Sequence, residues 1–148
     1  MTSEPTFIFE TRFPLRHTDS FAGTPFVHGG VLLALTEIAL DAYDRASGVP
    51  SRRDLIRVQS HSQIRYRSPI RWDDEAIVRL RCTELSPGRL VFEAQVAAAS
   101  SGDVAAEFTH RYVYVDPSTG RATIPEDWSA IVAAIGDYEE DVQIKSSP

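Results

Sequence analysis

The sequence is poor in cysteine and in positive charge, and it has no long hydrophobic run. Cys82 is the only cysteine among 148 residues, which excludes an internal disulfide and a thiolate metal cluster. No apolar stretch approaches the roughly 20 residues that span a bilayer. The net charge of −6 is not the basic footprint of a nucleic-acid-binding protein. We therefore expect neither nucleic acid nor a membrane as a partner.

The N-terminus also lacks the features of a secretion signal. Residues 1–5 contain no basic region, and no apolar stretch follows them, so a signal peptide is not predicted. Together with the single cysteine, this favours a cytoplasmic protein. The length of 148 residues, with 43% hydrophobic and 24% charged residues, fits one globular domain over 1–148 with one core.

Hydrophobic periodicity predicts a mixture of strands and helices. Alternation of apolar and polar residues, with short turn signals between the segments, is typical of antiparallel strands. Alternation in the segment 55–67 is unbroken, so Gln59 and Ser62 are predicted to face opposite ways. The predicted strands are 7–16, 55–67, 76–84, 90–98 and 104–115. Helices are predicted over 29–46 and after Pro125, where Glu126 and Asp127 would lie in the first turn. The segment 139–148 is predicted to be a frayed tail.

The predicted helix 29–46 is apolar on every side over its first two turns. A helix of this kind is buried in a core. Glu37 lies inside it, and burial of an unpaired carboxylate costs several kcal/mol or forces it to keep its proton. Catalysis would explain an acid here, and pairing with an arginine such as Arg65 or with a backbone group is the alternative. One sheet covers only one side of the helix, so we expect a second subunit on the other.

Three short motifs resemble one family. His28-Gly29-Gly30 is followed by Glu37 nine positions after the histidine, 64–75 contains an aromatic–Pro–Asp stretch, and 114–126 forms a characteristic ending. In this order they resemble the hotdog-fold acyl-CoA thioesterases of the 4-hydroxybenzoyl-CoA thioesterase superfamily. The resemblance implies an α+β fold in which a long central helix is wrapped by a five- to six-stranded antiparallel sheet. It also implies hydrolysis of a thioester to a free acid and CoA.

The resemblance leaves two candidate catalytic acids. The branch with His-Gly-Gly usually has Asn or Gln about six residues before the histidine, where this chain has Ala22. The segment 16–19, Arg-His-Thr-Asp, resembles a second branch in which an aspartate before the helix is the catalytic acid. Asp19 and Glu37 are therefore both candidates, and turn formation is the alternative role for Asp19.

Thioester hydrolysis needs a polarised carbonyl and a nucleophile or a base for water. Backbone N–H groups at a helix start can polarise the carbonyl, and Gly29 and Gly30 leave room for a substrate; close packing of the helix on the sheet is the alternative explanation of these glycines. His28 is expected to cap the helix, with a role as general base as the alternative. Gly30 and Glu37 are roughly 10 Å apart along the helix axis. We therefore expect Glu37 to act with the helix start of a partner, at the interface of a homodimer or a dimer of dimers.

Coenzyme A, as part of the substrate, would bring phosphates to the protein. Arginine is their natural partner, and solvation at the surface is the alternative role of each arginine. No metal-ligand spacing links the histidines, so no metal or separate cofactor is expected. The candidate phosphate ligands are Arg65, Arg67, Arg71 and Arg89, and the candidate acyl-pocket residues are Phe21, Phe26 and Val27.

Two other functions stay open at this point. The stretch 23–29, Gly-Thr-Pro-Phe-Val-His-Gly, is similar to the Pro-Gly stretch of acyl-carrier-protein dehydratases, although their acid falls nearer the glycine. A hotdog enoyl-thioester hydratase or dehydratase is therefore one alternative. A non-catalytic acyl-CoA-binding protein would follow if Glu37 were only structural.

Overall fold

Two α-helices, six strands and one 3-10 turn follow one another in the computed structural model, which describes residues 6–52 and 54–147. The predicted strands and the long helix are confirmed, with ends within two residues of those predicted. The elements are β1 (Phe9–Pro14), the 3-10 turn (His17–Asp19), α1 (Gly29–Ser47), β2 (Ile56–Tyr66), β3 (Glu75–Ser86), β4 (Arg89–Ala98), β5 (Val104–Val115), α2 (Trp128–Tyr138) and β6 (Gln143–Ile144).

One sheet, with α1 packed on one face, forms the core of the fold. Its strand order is β1-β3-β4-β5-β2, and all of these neighbours are antiparallel. The short β6 adds to the end of β3 in parallel. Among the described strands, β2 pairs only with β5, so one edge of β2 is free. This confirms the predicted long helix wrapped by a five- to six-stranded sheet.

Alternate residues of the central strands pack their apolar side chains against α1. Val78, Leu80 and Phe92 are fully buried on this face. Tyr43 of α1 meets the rings of Phe9 and Phe92 edge-on, with centroids 5.5 and 5.0 Å away. Burying one large apolar side chain contributes roughly 1.5–3 kcal/mol. The contacts fix α1 on the sheet, and with it the position of the helix start.

The sheet buries only one side of α1. Glu37 and Ile38 lie on the other side, and Ile38 is 59% exposed. The prediction that Glu37 is buried is therefore wrong for the protomer, because the sheet covers the neighbouring Thr36 instead. An apolar sequence on all sides of a helix does not say which side the sheet covers.

A β-bulge in β2 breaks the predicted alternation. The register of β2 on β5 shifts between Gln59 and His61, which leaves Ser60 without a paired residue. Gln59 before the bulge and Ser62 after it both contact the buried His110. The prediction that Gln59 and Ser62 face opposite ways is wrong, because the extra residue of a bulge changes which side chains reach the interior.

The segment 139–145 is bound to the core, so the predicted frayed tail is wrong over these residues. Pro148, the last residue of that predicted tail, lies outside the described residues. Glu139 is only 8% exposed. Its Oε2 accepts hydrogen bonds from the Tyr43 hydroxyl at 2.8 Å and from the backbone N–H of Cys82 at 2.6 Å. Burial raises the pKa of Glu139, and these two hydrogen bonds oppose that effect. Beyond it, β6 continues the sheet, and the N–H of Lys145 donates to the carbonyl of Leu85.

The helix ends follow from local signals. α1 stops before Gly48, whose φ of 81° lies in the left-handed region that suits glycine. α2 begins at Trp128, so Glu126 and Asp127 precede its first turn, contrary to the prediction. Asp127 occupies the cap position instead. Neither helix of the described ranges has the length and apolar content needed to cross a bilayer.

Candidate active site

α1 begins with a histidine cap. His28 Nδ1 accepts the backbone N–H of Gly30 at 2.8 Å, as expected of a cap. The His28 ring packs against Phe21, with centroids 4.6 Å apart. Because Nδ1 is an acceptor, the proton of the neutral ring lies on Nε2.

Gly29 leaves a backbone N–H free at the same helix start. The N–H of Gly30 donates to the His28 ring and that of Val31 to the His28 carbonyl. The Gly29 N–H has no acceptor among the described residues. A Cβ on Gly29 would lie 2.6 Å from the Tyr66 hydroxyl, so glycine is what allows this phenol to approach the backbone. The Gly29 amide, at the positive end of the helix dipole, is thus the group that can bind a developing oxyanion.

An apolar pocket of about 600 Å³ opens at this helix start; we call it the N-terminal pocket. Phe26, Leu32 and Ile70 supply apolar surface, and Arg67 lies among its lining residues. A pocket of this size and lining suits the apolar part of a small ligand. The structure therefore brings together seven of the predicted site residues, which are Phe21, Phe26, Val27, His28, Gly29, Gly30 and Arg67.

Tyr66 is a pocket residue that sequence reasoning missed. It ends β2, is 57% exposed, and places its hydroxyl against Gly29. The sequence signal that could have identified it is a large aromatic residue at the end of a predicted strand, because an exposed apolar side chain often marks a binding surface.

Asp19 reaches the helix start through its backbone. Its carbonyl accepts the N–H of His28 at 2.8 Å. Its carboxylate points to Arg16, where Oδ2 accepts the backbone N–H at 2.8 Å and Oδ1 lies 3.5 Å from the guanidinium. These contacts close the 3-10 turn, the alternative role considered for Asp19.

Glu37 faces a second pocket farther along α1, of about 620 Å³; we call it the Glu37 pocket. Leu40, Arg57 and Tyr112 also line it, and no residue lines both pockets. Gly29 and Glu37 are eight residues apart, or about 12 Å along the helix axis. The protomer therefore does not bring the helix start and this carboxylate together.

No ion pair among the described residues involves Glu37. Arg65, the partner considered from the sequence, follows the inward-facing Ile64 and so lies on the opposite face of the sheet. The nearby Arg57 is already paired with Asp44, with N–O distances of 2.5 and 3.0 Å. In the part of the protomer that the structure describes, Glu37 is therefore a carboxylate without a paired cation.

Comparison with known proteins identifies the family. Residues 24–105, more than half of the chain, match the family model of the thioesterase superfamily. The chain belongs to this superfamily. No curated protein matches it significantly.

Solved structures with the same fold include several thioesterases. A 1,4-dihydroxy-2-naphthoyl-CoA thioesterase from Synechocystis is 19% identical with a TM-score of 0.72, over 89% of this chain and 98% of that one. A protein from Pseudomonas aeruginosa is 15% identical with a TM-score of 0.78, over 93% and 95%. A Thermus thermophilus thioesterase complexed with coenzyme A and zinc is 26% identical with a TM-score of 0.68, over 88% and 96%. The hotdog fold is confirmed, and superfamily membership supports thioester hydrolysis.

A buried hydrogen-bond network joins β2, β5 and α1 beside Glu37 in this thioesterase-superfamily protein. The hydroxyl of Thr36 donates to the Leu33 carbonyl at 2.7 Å, so at 2.9 Å from His110 Nε2 it must accept. His110 Nδ1 is therefore unprotonated and accepts from Ser62 Oγ at 2.9 Å and Gln59 Nε2 at 3.0 Å. Sequence reasoning missed this network because strand register and the bulge bring its members together.

The stability of this superfamily member is expected to fall as the pH decreases from about 6.5 to 4. Burial lowers the pKa of His110 to about 4, against about 6.5 in an unfolded chain. Between these values the unfolded state binds more protons, so the free energy of unfolding decreases as the pH is lowered, by roughly 3 kcal/mol over the whole interval. Denaturant unfolding at pH 7 and 4.5 measures this, with His110→Gln for comparison. An equally steep decrease in the variant would contradict the assignment.

The remaining candidate phosphate ligands of the superfamily member are dispersed over its surface. Arg67 follows the last residue of β2 and lines the N-terminal pocket. Arg89 lies opposite Val113, at the other end of the sheet. Arg65 is exposed, and Arg71 is paired with Asp73. Of these four arginines, the protomer brings only Arg67 to the pocket.

Proposed function

We propose that this protein hydrolyses an acyl-CoA thioester to a free acid and CoA. The Gly29 N–H would polarise the thioester carbonyl, and Glu37 would act as the base for water or as the nucleophile. The observation that carries the proposal is the free Gly29 amide beside an apolar pocket. A hydrogen-bond donor placed where negative charge develops raises kcat by about 10²- to 10³-fold. The coenzyme A complex of the Thermus relative supports CoA as the leaving group.

The separation of the two groups argues for a site shared by two subunits. A glutamate side chain covers only part of the roughly 12 Å between Gly29 and Glu37. One carbonyl would therefore meet both groups only if each came from a different subunit. Exposed apolar residues on α1 and β2, such as Ile38 and Ile56, support a partner surface here.

The free edge of β2 supplies a way to build such a dimer. Unpaired strand edges readily pair with another chain. If two copies paired along β2 in the antiparallel sense, the start of one strand would lie beside the end of the other. Ile56 at the start of β2 lines the Glu37 pocket, and Tyr66 at its end lines the N-terminal pocket. This pairing would place Glu37 of one subunit close to Gly29 of the other, in a homodimer or a dimer of dimers.

Arg67 is the first candidate for the CoA phosphates. Its guanidinium pairs with Glu107 at 3.0 Å on the surface, and exposed pairs of this kind contribute only about 0–1 kcal/mol. A phosphate can therefore replace the carboxylate at little cost. Arg65 lies two residues before it, whereas Arg89 lies at the opposite end of the sheet. Phe26 would contact the acyl or pantetheine part of the substrate.

The reaction is tested with purified protein and a panel of aliphatic and aromatic acyl-CoAs, with free thiol as the readout. We expect thiol release with saturation kinetics for at least one member of the panel. CoA binding without any thiol release would instead indicate a non-catalytic acyl-CoA-binding protein. Loss of the double bond of an enoyl-CoA without thiol release would indicate a hydratase.

A further inference from the structure

Tyr112 shares the Glu37 pocket, and the mechanism above does not use it. It lies on β5, one strand in from the free edge, and is only 3% exposed. Its ring faces the same side of the sheet as His110, two residues earlier, and the two centroids are 5.9 Å apart. The residue therefore joins the hydrogen-bond network to the pocket that contains the proposed base.

The network assigns the Tyr112 hydroxyl oxygen the role of an acceptor. His110 Nδ1 is an acceptor, so the Gln59 atom at 3.0 Å from it must be the amide nitrogen. The same nitrogen lies 3.4 Å from Tyr112 Oη and donates its second hydrogen there. Tyr112 Oη thus accepts from Gln59, and no described residue accepts its own proton. That proton is available to a group in the Glu37 pocket.

Glu37 is the carboxylate of this pocket that has no donor among the described residues. Asp44 is paired with Arg57, and Asp41 is paired with Arg45. Arg52, also on the pocket wall, is bound by Asp54 and Asp127. Of the residues that the structure describes, the charged and titratable groups facing the pocket are Glu37, Asp41, Asp44 and Arg45 from α1, Arg52 before β2, Arg57 from β2, and Tyr112 and Tyr114 from β5.

Tyr112 is suited to donate a proton in a hydrogen bond and not to give it up. Burial is the largest cause that raises its pKa to about 12, the Gln59 hydrogen bond opposes the rise, and the negative charge of Glu37 adds to it. The hydroxyl therefore stays protonated throughout the neutral range. The contribution of Glu37 is consistent with its carboxylate being near the phenol.

We propose that Tyr112 is a positioning residue for Glu37, with its hydroxyl donating a hydrogen bond to the Glu37 carboxylate. The proposal rests on the proposed role of Glu37 in hydrolysis. The bond would hold the carboxylate toward the reacting carbonyl and favour its ionised form. Gln59 and His110 direct the donor, so the network extends from Thr36 to the base itself.

The test is Tyr112→Phe, which removes only the hydroxyl. Loss of a hydrogen bond to a charged group changes an equilibrium or a rate by a factor of roughly 10 to 100. We therefore expect kcat to fall by about that factor, while KM stays within about twofold of the wild-type value. The acidic limb of the kcat–pH profile should move to higher pH, because the carboxylate loses a donor that favours its ionised form. In a Glu37→Gln background, Tyr112→Phe should not lower kcat any further. Tyr138→Phe on α2, away from the pocket, is the matched control.

The outcomes separate this proposal from the proposed function. If Glu37→Gln keeps wild-type activity, the role of Glu37 fails, and with it the positioning role. If Glu37→Gln is inactive but Tyr112→Phe keeps the wild-type kcat and acidic limb, only the positioning role is wrong. If Tyr112→Phe does not fold, Gln59→Met provides the test, since it retains the hydroxyl and removes the donor that directs it. The acidic limb must then move in the same direction, by a smaller amount; an unchanged limb overturns the proposal.

Discussion

Glu37→Gln is expected to lower kcat by about 10²- to 10⁴-fold, the range that a positioned general base contributes. The substitution keeps the size and polarity of the side chain and removes only its basicity. Glu37 is exposed in the protomer and has no ion pair among the described residues, so the thermal midpoint of the variant should match that of the wild type. Steady-state thiol release with the best substrate of the panel measures the loss.

Asp19→Asn is the comparison that decides between the two candidate acids. The asparagine keeps one oxygen for the N–H of Arg16, so the turn it closes should persist. We expect a small change in kcat for this variant. A large loss with Asp19→Asn and none with Glu37→Gln would reverse the assignment, and full activity in both would show that neither residue is the acid.

Gly29→Pro is expected to lower kcat by about 10²- to 10³-fold relative to Gly29→Ala, the effect of removing one oxyanion donor. Both variants place a Cβ against the Tyr66 hydroxyl, but only proline lacks the backbone N–H. Proline is also well tolerated at the first position of a helix, and the extended backbone of His28, with φ −64° and ψ 135°, suits a residue before proline. Equal activity of the two variants would mean that the amide does not act.

Mixed dimers then show whether one site uses two subunits. A dimer with one Glu37→Gln subunit and one Gly29→Pro subunit would have one site with both groups intact and one with neither. We therefore expect about half of the wild-type activity from mixed dimers isolated through two different tags, since a twofold dimer has two equivalent sites. If each site lay within one protomer, the mixed dimer would be as inactive as its parents.

The sequence predicts the strands and the long helix of this fold well, and it also predicts which residues lie at the start of α1. Alternating and helical periods placed the five long strands and α1, because each is a repeated local signal. The family motif placed His28, Gly29 and Gly30 together at one pocket. The rise of a helix also predicted correctly that Glu37 would be distant from those glycines within one chain.

The features that were missed depend on contacts between distant segments. The bulge at Ser60 inserts one residue into the pairing with β5, and no local signal marks it. Glu139 is buried by Tyr43 and Cys82, which lie 96 and 57 residues away in the chain. The roles of Thr36 and Tyr112 follow from the same kind of long-range placement. The local pattern of apolar and polar residues therefore predicts helices and strands well. It says much less about which polar side chains are buried in the core.

The burial of Cys82 has a practical consequence for every assay proposed above. Its thiol is 2% exposed, and burial raises its pKa, so the reactive thiolate is scarce and out of reach of reagents. Folded protein should therefore give no background in thiol-release measurements, and the signal should come from CoA alone. Each chain that unfolds exposes one titratable thiol. The thiol reagent that measures CoA release can therefore also measure the fraction of unfolded protein, for each variant and under the same assay conditions.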